Sequence, residues 1–120
     1  MKIIKSFVFA WNGLRICFTS ELNFRVHVIS AIVVSVFGLL YGISINEWAV
    51  LGFCIALVII MEIMNTAIEQ LCNIVHKDFH PSIKKVKDIA AAAVLVSAIF
   101  SLLTGLVIFL PKIFSYFKSI

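Results

Sequence analysis

Residues 26–46 of the chain read VHVISAIVVSVFGLLYGISIN and contain no Asp, Glu, Lys or Arg. Roughly 20 apolar residues in a helix cross the hydrocarbon core of a bilayer, so this stretch of 21 residues is long enough to span it. A second charge-free stretch, of 23 residues, covers positions 89–111. These two stretches predict membrane-spanning helices.

The composition of the whole chain supports the same conclusion. Of its 120 residues, 62% are hydrophobic and only 13% are charged, whereas a soluble domain has about a quarter charged residues on average. A soluble single domain is therefore excluded. The net charge of +4 is explained by loops that set membrane orientation, so we expect no nucleic-acid partner. The three cysteines have no paired spacing and are predicted to be free thiols.

Hydrophobic periodicity predicts an all-α membrane protein with one integral-membrane domain over residues 1–120. An amphipathic helix over residues 2–18 is predicted to lie on the membrane surface, followed by a polar elbow at 19–25. Three spans follow, at about 26–45, 48–76 and 88–110, with a basic loop at 77–87. The third span is predicted to stop at Pro111 and Lys112. It carries small residues at every fourth position, which favour close helix packing in lipid: Ala93, Ser97, Ser101 and Gly105.

The distribution of basic residues predicts the orientation. The surface helix and elbow contain four Lys or Arg residues, the basic loop contains four, and the turn between the first two spans contains none. By the positive-inside rule, the N-terminus and the basic loop face the cytoplasm. The second span then runs from the outside to the inside.

The second span contains the segment EIMNTAIE at residues 62–69. At about 100° per residue, its polar side chains and those that follow share one helix face about 100° wide. Counted from Trp48 at 1.5 Å per residue, Glu62 lies roughly 21 Å across the membrane and Glu69 roughly 32 Å across. The residues of this face are Glu62, Asn65, Thr66, Glu69, Asn73 and His76.

A carboxylate at the depth of Glu62 costs about 2.5 kcal/mol or more, and such residues are functional by default. An interhelical hydrogen-bonding face is the structural alternative. Two acids on one face, opposite a basic loop, favour a catalytic role over a structural one. Carboxylates near the membrane surface can hold Mg²⁺ together with phosphate oxygens. A deeper carboxylate can take a proton from a lipid hydroxyl. Phosphoryl transfer from a nucleotide to a lipid alcohol fits this pattern without being required by it. Neither a P-loop nor a kinase Gly-rich loop is present.

Four groups of residues resemble the prokaryotic diacylglycerol kinase family, small three-span lipid kinases that include bacterial undecaprenol kinases. They are residues 11–15 (WNGLR), Glu21 with residues 23–25 (NFR), the segment 62–69, and Lys87-Asp88 before an Ala-rich helix. The resemblance covers nearly the whole chain. It implies an ATP-dependent lipid kinase that is a homotrimer in the bacterial inner (plasma) membrane, with sites between subunits and facing the cytoplasm.

The same resemblance implies roles for individual residues. Glu62 is the expected general base on the lipid hydroxyl, and Glu21 with Glu69 is expected to hold the Mg²⁺ of ATP. The remaining assignments are Asn65 to orient the reacting groups, Lys87 to contact phosphate, Asp88 to help bind the nucleotide, and Arg15 and Arg25 to assist at the same surface.

His27 stands where diacylglycerol kinases of the proteobacterial type have an acid. The sequence is more similar to undecaprenol kinases of the Gram-positive type, which share an Asn-Phe-x-x-His pattern, a His-Pro pair like His80-Pro81, and an ending like residues 108–112. We therefore expect undecaprenol as the substrate, with diacylglycerol as the alternative.

Simpler structural roles stay open for several of these residues. Glu21 could cap the first span, Asp88 could be a first-turn acid of the third, Lys87 could reach the interface, and Arg25 could act only as an orientation charge. Two other functions also remain: a proton-coupled small transporter, and a non-enzymatic helical subunit in which Glu62→Gln would preserve function.

Overall fold

The computed structural model describes residues 1–120 as four helices and no strand. They are α1 (Lys2–Ser20), α2 (Leu22–Tyr41), α3 (Ile45–Val75) and α4 (Pro81–Lys118). The most extensive packing joins α3 to α4, and α2 and α1 pack on α3. The all-helical prediction is confirmed, and α2, α3 and α4 are each long and apolar enough to cross a membrane.

Two polar contacts show that α3 and α4 run antiparallel. Near the start of α3, Glu47 pairs with Lys112 near the end of α4, at 3.1 Å. Near the end of α3, the Oδ1 of Asn73 accepts a hydrogen bond from the Nζ of Lys87 at 2.8 Å. Between these contacts, the Oγ of Ser101 donates to the carbonyl oxygen of Cys54 at 3.2 Å, so this small residue of α4 faces α3.

The polar elbow predicted at residues 19–25 is wrong, because α1 and α2 are separated by one extended residue, Glu21. The break is stabilised by the guanidinium of Arg25, which donates to the carbonyl oxygens of Phe18 and Thr19 at 3.2 and 3.4 Å. Those carbonyls are in the last turn of α1, where no helical N–H follows to bond them. One side chain from α2 therefore allows the chain to change direction within a single residue.

The turn between α2 and α3 lies at residues 42–44, slightly earlier than predicted. Gly42 ends α2 with φ of 63°, a left-handed conformation that glycine adopts without steric cost. Ser44 and Glu47 then form a capping box, in which each side chain bonds the other residue's backbone N–H.

The third predicted span differs from α4 at both ends. His80 caps α4 by accepting a hydrogen bond from the N–H of Ser82, and Pro81 occupies the first turn, where its missing N–H is harmless. The helix also continues through Pro111 to Lys118, contrary to the predicted stop. Contacts beyond Pro111 hold this extension in place, because Lys112 pairs with Glu47 and Tyr116 packs edge-on against Tyr41.

Candidate active site

Glu62 is buried in the middle of the site, with 3% of its side chain exposed. The next polar residues on the same face of α3, Asn65 and Thr66, are also buried. The hydroxyl of Thr66 donates to the backbone carbonyl of Glu62 at 3.0 Å, so Thr66 is satisfied within its own helix. The carboxyl group of Glu62 must find its partner on another helix.

That partner is His27 on α2. Its Nε2 lies 3.2 Å from Oε1 of Glu62, and its side chain is 26% exposed. The bond joins α2 to α3 at the buried carboxylate. The sequence marks His27 for its bearing on substrate choice but does not predict its contact with Glu62.

Asn65 connects the buried carboxylate region to the second acid of the segment. Its Nδ2 donates to Oε1 of Glu69 at 3.3 Å. Its Oδ1 is buried and has no hydrogen-bond partner. A buried polar atom without a partner costs about 1–3 kcal/mol, so this oxygen is an acceptor that a bound group could use.

Glu21 lies beside Glu69, because the break between α1 and α2 brings it to the end of α3. Partial burial raises the pKa of the Glu21 carboxyl group, and the nearby Glu69 and Glu62 carboxyl groups raise it further. The Glu21 side chain makes no capping hydrogen bond at the start of α2. Glu21 occupies the N-cap position of α2, as the structural alternative predicted, but its side chain does not bond the backbone of that helix.

Lys87 and Asp88 lie near the start of α4 and bond to residues other than the three glutamates of the site. Lys87 donates to Asn73, which follows Glu69 by one helical turn. Asp88 is exposed and pairs with Lys84 at 2.6 Å. Because α4 begins at Pro81, Asp88 lies in the second turn of the helix, and a first-turn role for it is wrong.

The two arginines predicted at the same surface have different surroundings. Arg25 closes the end of α1, as described above, so its role is more than an orientation charge. Arg15 is exposed on α1 and forms no ion pair within the chain. The structure thus brings together Glu21, Glu62, Asn65 and Glu69 and adds His27. The side chains of Arg15, Arg25, Lys87 and Asp88 form no hydrogen bond or ion pair with them.

An elongated, mainly apolar cavity of about 400 Å³ runs between α2, α3 and α4. His27 lines it at one end, together with Val58, and Phe109 lines it at the other. The histidine that bonds Glu62 therefore also opens onto a space suited to hydrocarbon.

This geometry gives a buried carboxylate beside an apolar cavity, and a pair of more exposed carboxyl groups next to it. The chain contains no group of three or more His, Cys, Asp or Glu residues arranged to hold a metal. A cation at the Glu21–Glu69 pair would need further ligands from water or from a bound phosphate group, which is how Mg²⁺ commonly binds.

A family model described as prokaryotic diacylglycerol kinase matches residues 8–109. The chain belongs to that family. Among its relatives, the undecaprenol kinase of Bacillus subtilis is 39% identical over 112 residues, covering 93% of this chain and 91% of that protein. A diacylglycerol kinase of Synechocystis is 34% identical, covering 94% of this chain and 65% of that protein. The diacylglycerol kinase of Escherichia coli K12 is 29% identical, covering 86% and 84%.

Family membership confirms the resemblance inferred from the segment 62–69 and its companion motifs. The match extends over α2, α3 and most of α4. It therefore contains every residue that the structure brings together at the site: Glu21, His27, Glu62, Asn65 and Glu69. It identifies the chain as a membrane-bound kinase of the lipid-kinase type.

Proposed function

We propose that this protein is an ATP-dependent kinase that phosphorylates the hydroxyl of a membrane lipid alcohol, with undecaprenol as the preferred substrate. One observation carries the proposal: a buried glutamate, Glu62, bonds a histidine that lines a mainly apolar cavity, and it lies close to a more exposed pair of acids. The two relatives named as undecaprenol kinase and diacylglycerol kinase support a phosphotransferase acting on an alcohol.

Glu62 is the proposed general base. A carboxylate with 3% exposure is shielded from water, so a lipid hydroxyl that reaches it competes with little solvent. In the reaction, the hydroxyl proton passes to Glu62, the alcohol oxygen bonds to the γ-phosphorus, and the bond from phosphorus to the departing ADP breaks. Proton transfer of this kind contributes about 10²–10⁴ in rate.

Glu21 and Glu69 are the proposed ligands of Mg²⁺. The carboxyl group of Glu69 is close enough to Glu21 to disfavour the charged form of Glu21, and a cation between the two acids would offset that repulsion. Mg²⁺ supplies neutralisation of phosphate charge when bound. The unpaired Oδ1 of Asn65 supports its proposed role in orienting the reacting groups.

Lys87, Asp88, Arg15 and Arg25 are proposed to meet the nucleotide at the same membrane face. Lys87 would bond a phosphate oxygen in place of Oδ1 of Asn73, because a single hydrogen bond joins Lys87 to Asn73. Asp88 is exposed at that end of α4, and Arg15 is exposed on α1. Arg25 supports the surface by fixing the turn at Glu21.

The cavity between α2, α3 and α4 is the proposed site for the lipid chain. Its apolar lining suits a polyisoprenoid tail, and His27 connects it to Glu62. Enlarging a side chain that lines it, as in Ala98→Leu, is expected to raise the KM for the lipid and leave the KM for ATP unchanged. The higher identity to the Bacillus undecaprenol kinase supports undecaprenol; diacylglycerol is the alternative.

We propose a homotrimer in the bacterial inner (plasma) membrane, with its N-terminus and active site on the cytoplasmic side and α1 on the membrane surface. Three facts support this arrangement: the excess of Lys and Arg at the end that holds Glu21 and Glu69, the apolar side chains exposed along α1, and the incomplete set of phosphate ligands around those acids. Chemical cross-linking in native membranes counts the subunits.

The test is phosphate transfer from labelled ATP in mixed micelles containing undecaprenol or diacylglycerol. Wild type should label undecaprenol in preference, and Glu62→Gln should lower the rate at least 100-fold, the lower range for a lost general base. Glu47→Gln is the matched control, because Glu47 lies on the same helix at the opposite end. Labelling of neither alcohol by well-folded protein would refute the kinase, and a preference for diacylglycerol would refute the substrate choice.

A further inference from the structure

His27 is the one side chain that bonds the carboxyl group of Glu62. The distance between Nε2 and Oε1 is 3.2 Å, and the other side chain that touches Glu62, Thr66, bonds its backbone carbonyl instead. Glu62 is therefore buried with a single donor for a negatively charged group.

The helix itself cannot supply a second donor. In the interior of α3 the backbone N–H groups are used in helical hydrogen bonds, as a chain in lipid requires. A buried carboxylate needs hydrogen bonds to remain charged, so the donor must come from another helix. At this depth α2 provides His27.

The other charged groups near Glu62 act against its negative charge. Glu69 on α3 and Glu21 at the junction of α1 and α2 are both acids that interact with it. The charged residues of α4 lie only at its two ends, at positions 84–88 and at 112 and 118. His27 is thus the single favourable partner among the elements that pack around Glu62.

We infer that His27 is a positioning residue for the phosphoryl transfer. It donates Nε2–H to Oε1 of Glu62, which fixes the carboxylate and leaves Oε2 free for the lipid hydroxyl. In the step itself, the hydroxyl proton moves to Oε2, the oxygen–phosphorus bond forms, and the bond to the departing ADP breaks. His27 neither gains nor loses a proton. This inference rests on the proposed function.

The decisive experiment measures kcat and both KM values for His27→Leu and His27→Gln in the micelle assay. Leucine removes the donor, and we expect kcat to fall about 10- to 100-fold, the range for losing one hydrogen bond to a charged group. The KM values for ATP and for undecaprenol should stay within about twofold, because His27 acts through Glu62. Glutamine keeps an N–H donor at a similar reach. On a logarithmic scale, its kcat should therefore lie at least halfway between those of the leucine variant and the wild type.

Two controls separate this role from a purely structural one. Thr104→Leu also replaces a polar side chain with leucine, at a position on α4 where the hydroxyl bonds only its own helix, and should leave kcat unchanged. In a Glu62→Gln background, His27→Leu should have no further effect on kcat, because the residue it positions is gone.

The possible outcomes are distinct. An inactive wild type refutes the proposed kinase itself. An active wild type with an unchanged His27→Leu variant, equal losses in the leucine and glutamine variants, or additive losses with Glu62→Gln would each overturn the role of His27 alone. If the leucine variant does not fold, the glutamine variant and its double-mutant cycle with Glu62→Gln give the same decision.

Discussion

Replacing Asn65 with alanine should separate folding from catalysis. The side chain makes one hydrogen bond, to Glu69 four residues further along the same helix, at 3.3 Å, and a side-chain pair of this kind contributes about 0.2–0.5 kcal/mol. The same side chain holds an unpaired buried oxygen, whose burial costs about 1–3 kcal/mol. Alanine removes both contributions, and the penalty is the larger of the two, so the free energy of unfolding should rise by about 0.5–3 kcal/mol.

Activity should fall although stability rises. If Oδ1 of Asn65 accepts a hydrogen bond from a reacting group, its loss should lower kcat about 10- to 100-fold. The assay pairs initial rates of lipid phosphorylation with unfolding by SDS titration in the same micelles. Thr66→Val is the matched control, because Thr66 is equally buried but bonds only the backbone of Glu62, and its rate should fall less than about threefold.

One result would refute this reasoning about Asn65. If Asn65→Ala lost several kcal/mol of stability and its activity fell only in proportion to the folded fraction, Asn65 would be a structural residue. The unpaired Oδ1 would then be unfavourable but accepted because Nδ2 of the same side chain bonds Glu69.

Three further predictions concern other contacts. The pKa of Glu21 is raised in the folded protein, so the free energy of unfolding falls as pH rises through that pKa. In SDS titrations without metal, Glu21→Gln should therefore be more stable than wild type at pH 7. The two proteins should be equally stable below the titration range of ordinary glutamates. Added Mg²⁺ should stabilise wild type but not Glu21→Gln. Gly38→Ala should lose about 1–3 kcal/mol by overpacking, since its Cβ would lie 2.8 Å from the Trp48 ring, whereas Gly52→Ala, with open space around it, should gain up to about 1 kcal/mol. Lys112→Ala breaks the half-exposed pair with Glu47 and should cost about 0.2–1 kcal/mol, less at high salt.

The sequence predicted the helices better than their ends. Charge-free length and apolar periodicity identify α2, α3 and α4, because crossing lipid leaves a chain few alternatives to a helix. The ends depend on single contacts between distant residues. The bond from Arg25 to Phe18 shortens the elbow to Glu21, and the pair of Lys112 with Glu47 holds the helix beyond Pro111; neither contact has a local sequence pattern.

The same limit applies to the candidate site. Helical periodicity places Glu62, Asn65 and Glu69 on one face, because residues three, four and seven apart on one helix must lie there. It contains no information about how α2 is rotated against α3. The contact of His27 with Glu62 depends on that rotation. The sequence favours a hydrogen-bonding role for His27 at an interface but does not identify Glu62 as its partner.

Two glutamates on one helix face can do different chemistry because of their depth. Glu62 and Glu69 are seven residues apart, about 10 Å along the helix. The deeper one is nearly inaccessible and has a donor in His27, so its charge is held without a metal and its free oxygen can accept a proton. The shallower one is partly exposed and adjacent to another acid, Glu21, so it gains most from a cation. A metal bound at Glu62 would occupy the lone pairs that a base needs, whereas a donor at Glu69 would weaken its hold on a metal. Under the proposed roles, the spacing of seven residues would let the lipid hydroxyl and the charged phosphate meet on one face of α3, while each carboxylate keeps the surroundings that its proposed role requires.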